Sequence, residues 1–316
     1  MLSRTAASLY WIARYMERAE TAARLLEVGA RIALLPSAKG YRSDWDSLLR
    51  ASGNATGYAA KYGAPDQKAI ESYLFFDRDN PNSVASCITS ARESGRMVRT
   101  ALTTQVWDAL NTAFQELRRI ENDRNRQELS RLTDWVMKQT AMLRGAIDAT
   151  LLRGPGYNFL NIGYYLERGD STARLMDVKY YVLLPRADFV GSGLDNDQWM
   201  MLLRALGSHR AFRWAYGGEV TATKIADFLI LNPQCPRALT TCVAGMANHL
   251  GRLAKIYDHE TLAQTAVCAL MAELETQTTD RIFDEGLHEF LTRFVGQAAA
   301  LGAVIHDSYL SGDMAL

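Results

Sequence analysis

The sequence predicts an all-α fold, an internally duplicated helical bundle of two related halves, and two observations predict it. Apolar residues recur at helical spacing over long stretches with almost no alternation of the β type. The segment 9–28 also reappears, altered, at 159–178. With 316 residues and 48% hydrophobic composition, the chain can bury a sizeable core as one large or two smaller domains. The halves are drawn at 1–154 and 155–316, either as separate domains or as one compact one.

The helices follow in order from the prolines that bound them and from the apolar periodicity between. Five of the seven prolines, Pro36, Pro65, Pro81, Pro155 and Pro185, fall in segments that read as connections. The first helix, 4–34, carries the apolar heptad rows Leu9, Met16, Ala23, Ala30 and Ile12, Ala19, Leu26, and runs out at Leu34-Leu35-Pro36. Helices at 44–62 and 66–76 lie on either side of Pro65. Asp77-Arg78-Asp79-Asn80-Pro81 is a turn, after which a helix capped near Ser83 spans 83–101. Helices at 104–119 and 125–152 complete the half. The second series is 157–184, 195–216, 220–230, 236–256, 260–275 and 280–310. Its first member repeats the rows as Phe159, Leu166, Ala173, Tyr180 and Ile162, Gly169, Met176, and meets Leu183-Leu184-Pro185. Small residues at Ala19, Ala23, Gly169 and Ala173 would let another helix approach closely.

Setting LYWIARYMERAETAARLLEV (9–28) against FLNIGYYLERGDSTARLMDV (159–178) gives eight identities in twenty positions. Ordinary residue usage would give about one or two. Trp45 with Leu48-Leu49-Arg50-Ala51 recurs as Trp199 with Leu202-Leu203-Arg204-Ala205, and LFFDRDNPNSVASC (74–87) matches LILNPQCPRALTTC (229–242). A repeat this long is a duplicated helical domain, not a solenoid unit of about 20 to 50 residues.

Each half opens on a helix with an adjacent Glu-Arg pair, Glu17-Arg18 and Glu167-Arg168. Arg18 falls in a row between Trp11 and Leu25, and Arg168 between Asn161 and Leu175. A guanidinium beside an apolar arc must be paired, because burying a lone charge costs several kcal/mol. Glu17, Thr21 and Arg24 form a separate polar stripe, repeated by Glu167, Ser171 and Arg174. Three readings fit. Each Arg is clamped by a carboxylate from another helix; or the two helices line a cleft that grips a carboxylate or phosphate; or Glu17 or Glu167 is a general base. An adjacent Arg that holds a Glu pKa down counts against the last.

Weaker candidates stand outside these pairs. Arg14 shares the first helix. Arg78 belongs to the 77–81 turn, where its charge is expected to be structural. His209-Arg210, Arg213, Trp214 and Tyr216 form a basic and aromatic stretch, either a packed face with solvated Arg residues or a ligand wall. Glu285 and His288 have the i, i+3 spacing of a metal pair, but the sequence repeats no second Glu-x-x-His, so no metal is expected. No catalytic signature and no Gly-rich phosphate loop occurs, so no cofactor is expected. Cys87, Cys235, Cys242 and Cys268 lack zinc spacing and read as small core residues. The 35 basic and 35 acidic residues balance, which predicts binding to neither nucleic acid nor membrane. With no secretory core at the start and no run of about 18 apolar residues, a cytoplasmic location is expected.

MLSRTAASLYWIARYMERAETAARLL, LFFDRDNPNSVASCITSARESGRMVR and TTQVWDALN, in this order, resemble the bacterial Alpha-E family, named for its helices and its Glu-Arg motif. FLNIGYYLERGDSTARLMDV and FLILNPQCPRA resemble its second-half segments, so the resemblance covers essentially the whole chain. Where the family usually has Ser-Glu before the tryptophan, this chain has Thr104-Gln105 before Val106-Trp107, which argues against a required carboxylate there. The resemblance implies a setting beside a circularly permuted ATP-grasp protein, often with a transglutaminase-like protease. It carries over no catalytic residue beyond the motif itself. The expected role is a non-catalytic partner or substrate-orienting subunit of an ATP-grasp amidoligase system acting on a peptide or amino acid. The alternatives are an enzyme that binds an anionic acyl or amino substrate at the Glu-Arg pairs, and a structural scaffold.

Overall fold

The computed structural model describes residues 1–33, 44–123, 128–183 and 193–312, and among them all regular structure is helical, with no strand. Leu34-Leu35-Pro36 and Leu184-Pro185, where the two long helices were expected to end, lie outside the described residues, as do 125–127 at the start of the predicted 125–152 helix.

The two longest helices form the centre. α1 (Ser3–Ile32) and α8 (Pro155–Leu183) lie side by side. Pro155 opens α8, a position that needs no backbone donor and favours the fixed φ of proline. The expected seams are buried: Leu9, Ile12, Ala19, Ala23 and Leu26 in α1, and Phe159, Ile162, Ala173 and Met176 in α8, are all at most 1% exposed. The closest approach differs from the expected one. A Cβ on Gly169 would meet only ordinary contacts with Cys242 and Phe294, at 3.4 and 3.5 Å, whereas a Cβ on Gly163 would sit 2.3 Å from the Tyr10 carbonyl oxygen. Gly163 is therefore where the backbones of α1 and α8 press together.

Around this pair, α1 is flanked by α5 (Val84–Met97) and α7 (Leu129–Thr150), with α6 (Thr104–Asn122) packed on both. α8 is flanked by α12 (Leu239–Tyr257) and α15 (Leu287–Ile305), with α13 (Leu262–Glu275) packed on both. Connections cross between them: α2 (Asp44–Ala51) packs on α8, and α9 (Gly193–Ala205) packs on α1. One apolar cluster runs through the molecule, from Leu9 and Leu48 to Phe294 and Tyr309. No helix of the described residues is long and apolar enough to cross a membrane.

Several expected helices are broken. The predicted 44–62 segment is α2 followed by α3 (Ala55–Tyr62), and 195–216 is α9 followed by α10 (His209–Tyr216). Gly53 and Gly207 make these breaks at φ +71° and +67°, a left-handed conformation open mainly to glycine. Apolar periodicity continues across each break, so the pattern alone reads as one helix. α4 (Gln67–Phe75) and α11 (Ala222–Ala226) are short, and α11 continues as a π turn over 227–231. The 280–310 segment is α14 (Thr279–Glu285), a break at Gly286, α15, and a π turn over 306–310.

Candidate functional site

At the middle of α1 and α8 the two Glu-Arg pairs face one another and exchange partners. Neighbours on a helix point about 100° apart, so each Glu turns toward the opposite long helix while its Arg reaches across beside it. Arg168 donates from Nε and Nη2 to Oε1 and Oε2 of Glu17 at 2.8 and 3.0 Å. Arg18 donates from Nε and Nη2 to Oε1 and Oε2 of Glu167 at 2.7 and 3.1 Å. Both are two-point guanidinium–carboxylate contacts, the strongest form of this pairing. Between them Thr21 Oγ1 lies 2.6 Å from Ser171 Oγ.

The polar stripes thus face the opposite long helix through Glu17, Thr21, Glu167 and Ser171. Glu17 and Glu167 are 3% and 4% exposed, deeper than Arg18 and Arg168. The reason is direction: the carboxylates sit in the contact between α1 and α8, which pack against each other and against α5, α7, α12 and α15. Cys87 and Cys242 lie beside the two exchanges, and burial pushes both thiols up to about 12. Cys235 is buried too, but Cys268 is exposed, contrary to its expected place in the core.

The surroundings of the two exchanges differ. Glu167 also accepts from Arg14 Nε at 2.7 Å, and Arg18 Nη1 donates to Asn82 Oδ1 at 3.1 Å. Arg14 lies over the Trp11 ring, 4.7 Å from its centre. Burial opposes ionisation of Glu167, yet Arg14 and Arg18 hold its pKa below the usual carboxylate range. Arg174 pairs with Asp170 at 2.8 Å, and with Arg18, Gly53 and Asn54 these residues line a cavity of about 240 Å³.

On the other side Glu17 is approached by Arg237 Nη1 at 3.5 Å, and Arg237 Nη2 donates to Glu20 Oε1. Arg24 donates to the same Glu20 oxygen at 2.9 and 2.7 Å and also to the Ala205 carbonyl. Against the pull of burial, Arg237 and Arg24 hold Glu20 down to about 2. Tyr164 lies between two guanidiniums, with Arg168 and Arg144 4.2 and 4.0 Å from its ring centre. A cavity of about 470 Å³ opens onto this cluster.

The structure therefore brings together Glu17, Arg18, Arg24, Glu167, Arg168, Arg174 and Arg14. It leaves out the other three candidates. Arg78 ties the 77–81 turn to α6 through Glu121, at 3.0 and 2.6 Å, and to the Ala85 carbonyl at 2.9 Å. His209 and Arg213 lie on α10, where Phe212 is buried and stacked on Tyr216; Trp214, on the same helix, is 85% exposed and not packed. Glu285 and His288 take separate partners, Arg293 and Asp177, and no metal-holding group of three or more His, Cys, Asp or Glu occurs among the described residues. Gln105, at the position of the missing carboxylate, is exposed. Sequence reasoning missed Glu20, Arg144, Tyr164 and Arg237. The i, i+4 spacing of Glu20 to Arg24 and the match of Pro81-Asn82 with Pro236-Arg237 were the signals available for two of them.

A family model named Alpha-E, described as a predicted alpha-helical domain with a conserved ER motif, matches residues 1–310. Neither the curated proteins nor the solved structures yield a match.

Proposed function

The chain belongs to the Alpha-E family, and from that membership and the geometry of the exchanged pairs we propose that it is a non-catalytic partner subunit of an ATP-grasp amidoligase system. In this reading it orients a peptide or amino-acid substrate for a circularly permuted ATP-grasp protein, in the cytoplasm, with a transglutaminase-like protease as a further component. One observation carries the non-catalytic part: all four carboxylate oxygens of Glu17 and Glu167 already accept from guanidiniums of the opposite long helix. A general base needs a pKa near the working pH, and Arg14 and Arg18 hold Glu167 below the usual carboxylate range instead.

We further propose that the bundle is an internal duplication. The recurring motifs support it, and so does the packing plan, in which α1 with α5, α6 and α7 resembles α8 with α12, α13 and α15. The exchange supports it too, since Arg18–Glu167 and Glu17–Arg168 swap the same two positions.

Mixing the purified chain with the ATP-grasp protein tests the role. The two are expected to comigrate on size exclusion, and amide formation by the ATP-grasp protein is expected to rise when the chain is added. The chain alone is expected to turn over no ATP. Absence of a complex would overturn the partner reading. ATP-dependent amide formation by the chain alone would establish an enzyme instead.

A further inference from the structure

We propose that the cavity of about 470 Å³ bounded by α1, α7, α8 and the Pro236-Arg237 corner is a binding site for a carboxylate-ended ligand with an apolar body, such as the C-terminal residue of a short peptide. This deepens the orienting role proposed above and rests on it for the ligand's origin, but not for the binding itself.

The charge count in the cluster points to an anion. Three guanidiniums, Arg24, Arg168 and Arg237, share two carboxylates, Glu17 and Glu20, while a fourth on the wall, Arg144, is paired with Asp148 at 3.0 Å. One positive charge is left over, and Arg237, which is only 5% exposed, carries the poorest compensation. Its contact with Glu17, at 3.5 Å, is at the outer limit of a hydrogen bond. Burial, then Arg24 and Arg168, push the Arg237 pKa down to about 10 in spite of both carboxylates. A surplus guanidinium so deep in a protein is costly unless an anion completes it.

The match is to a monoanion. A single surplus charge balances a carboxylate, whereas a phosphate dianion would bring two charges toward Glu17 and Glu20. Much of the rest of the wall is apolar, with Met16, Leu143 and Phe228, and Thr140 and Ser208 stand among these. A small-ligand site typically spans about 300–1,000 Å³ with mostly apolar walls and a few convergent polar groups, and this cavity has that composition. The smaller cavity differs in its lining: Arg18 and Arg174 on its wall each pair with a carboxylate, Glu167 and Asp170, and Arg14, the third guanidinium there, does not line it.

Ligand-observed NMR titration of the full chain with N-acetyl-leucine, its neutral amide and inorganic phosphate tests the assignment. The acid is expected to bind, and the amide and phosphate are not. Arg237→Gln leaves Glu17 and Glu20 balanced by Arg168 and Arg24, so the variant is expected to fold. It should weaken acid binding about tenfold or more, the loss of a charge-assisted contact. Ala141→Trp, at the exposed rim of the cavity, should block binding while thermal unfolding stays at the parent temperature. Equal binding of acid and amide, preference for phosphate, or unaltered acid binding in folded Arg237→Gln would overturn the site. Loss of the ATP-grasp complex with acid binding intact would sink only the partner reading.

Discussion

Single residues at the exchange carry unequal burdens. Glu167 sits between Arg14 and Arg18 and is 4% exposed. Removing its charge strands two guanidiniums, so Glu167→Gln is expected to lower unfolding stability by about 3–5 kcal/mol, the usual cost of breaking a buried ion pair. Urea titration of both proteins would measure it, and a loss below about 1 kcal/mol would mean that water satisfies both Arg residues. How far such residues were legible depends on distance along the chain. That Arg18 and Arg168 needed partners on other helices followed from their apolar rows. Which partners they take did not, since each lies about half the chain away and no local spacing encodes it. Arg237 could be marked by the match of Pro236 with Pro81, but its carboxylates could not, since only the fold brings it to Glu17 and Glu20.

At the level of whole helices, the long elements were readable and the breaks were not. α1, α8 and α12 have apolar faces that only a helix can bury continuously, whereas the ends of α2 and α9 depend on Gly53 and Gly207, whose positive φ leaves no mark on periodicity. The α1–α8 contact offers a paired test. Gly163→Ala would place a methyl against the Tyr10 carbonyl, which belongs to rigid helix backbone, and should cost about 1–3 kcal/mol by overpacking. Gly169→Ala meets only ordinary contacts and should be neutral or gain up to about 1 kcal/mol from helix propensity. Denaturant midpoints of the two variants should therefore move in opposite directions or differ clearly; equal losses would mean the helices do not meet at Gly163.

For the molecule as a whole, buried ionisable groups make stability fall in acid. His249 holds its Nδ1 within 2.8 Å of Asn158 Oδ1, and burial, with Arg252 and Arg144, lowers its pKa to about 4 from 6.5. The unfolded chain then binds the proton first, so stability is full above about 6.5 and declines as the pH falls toward 4. Glu20 and Glu167, both lowered, act in a second window: their contribution is present above the unfolded carboxylate pKa and is lost as the pH falls through their folded values. Burial raises Asp170 and Asp177, which act with the opposite sign and soften this second loss. His249→Gln is expected to flatten the slope of stability between pH 6.5 and 4 while leaving the steeper decline below it. Unfolding midpoints measured across that range would check it, and an unchanged slope would assign the upper decline to other groups.

The exchange of partners between α1 and α8 also sets an order of events during synthesis. Glu17 and Arg18 leave the ribosome before their counter-charges, Arg168 and Glu167, which follow 151 and 149 residues later. Until α8 emerges, α1 carries two charges on a surface that is otherwise ready to collapse, and closing that surface would bury them unpaired. The nascent first half is therefore held back from a sealed core, waiting for the second to deliver the charges that permit it to close.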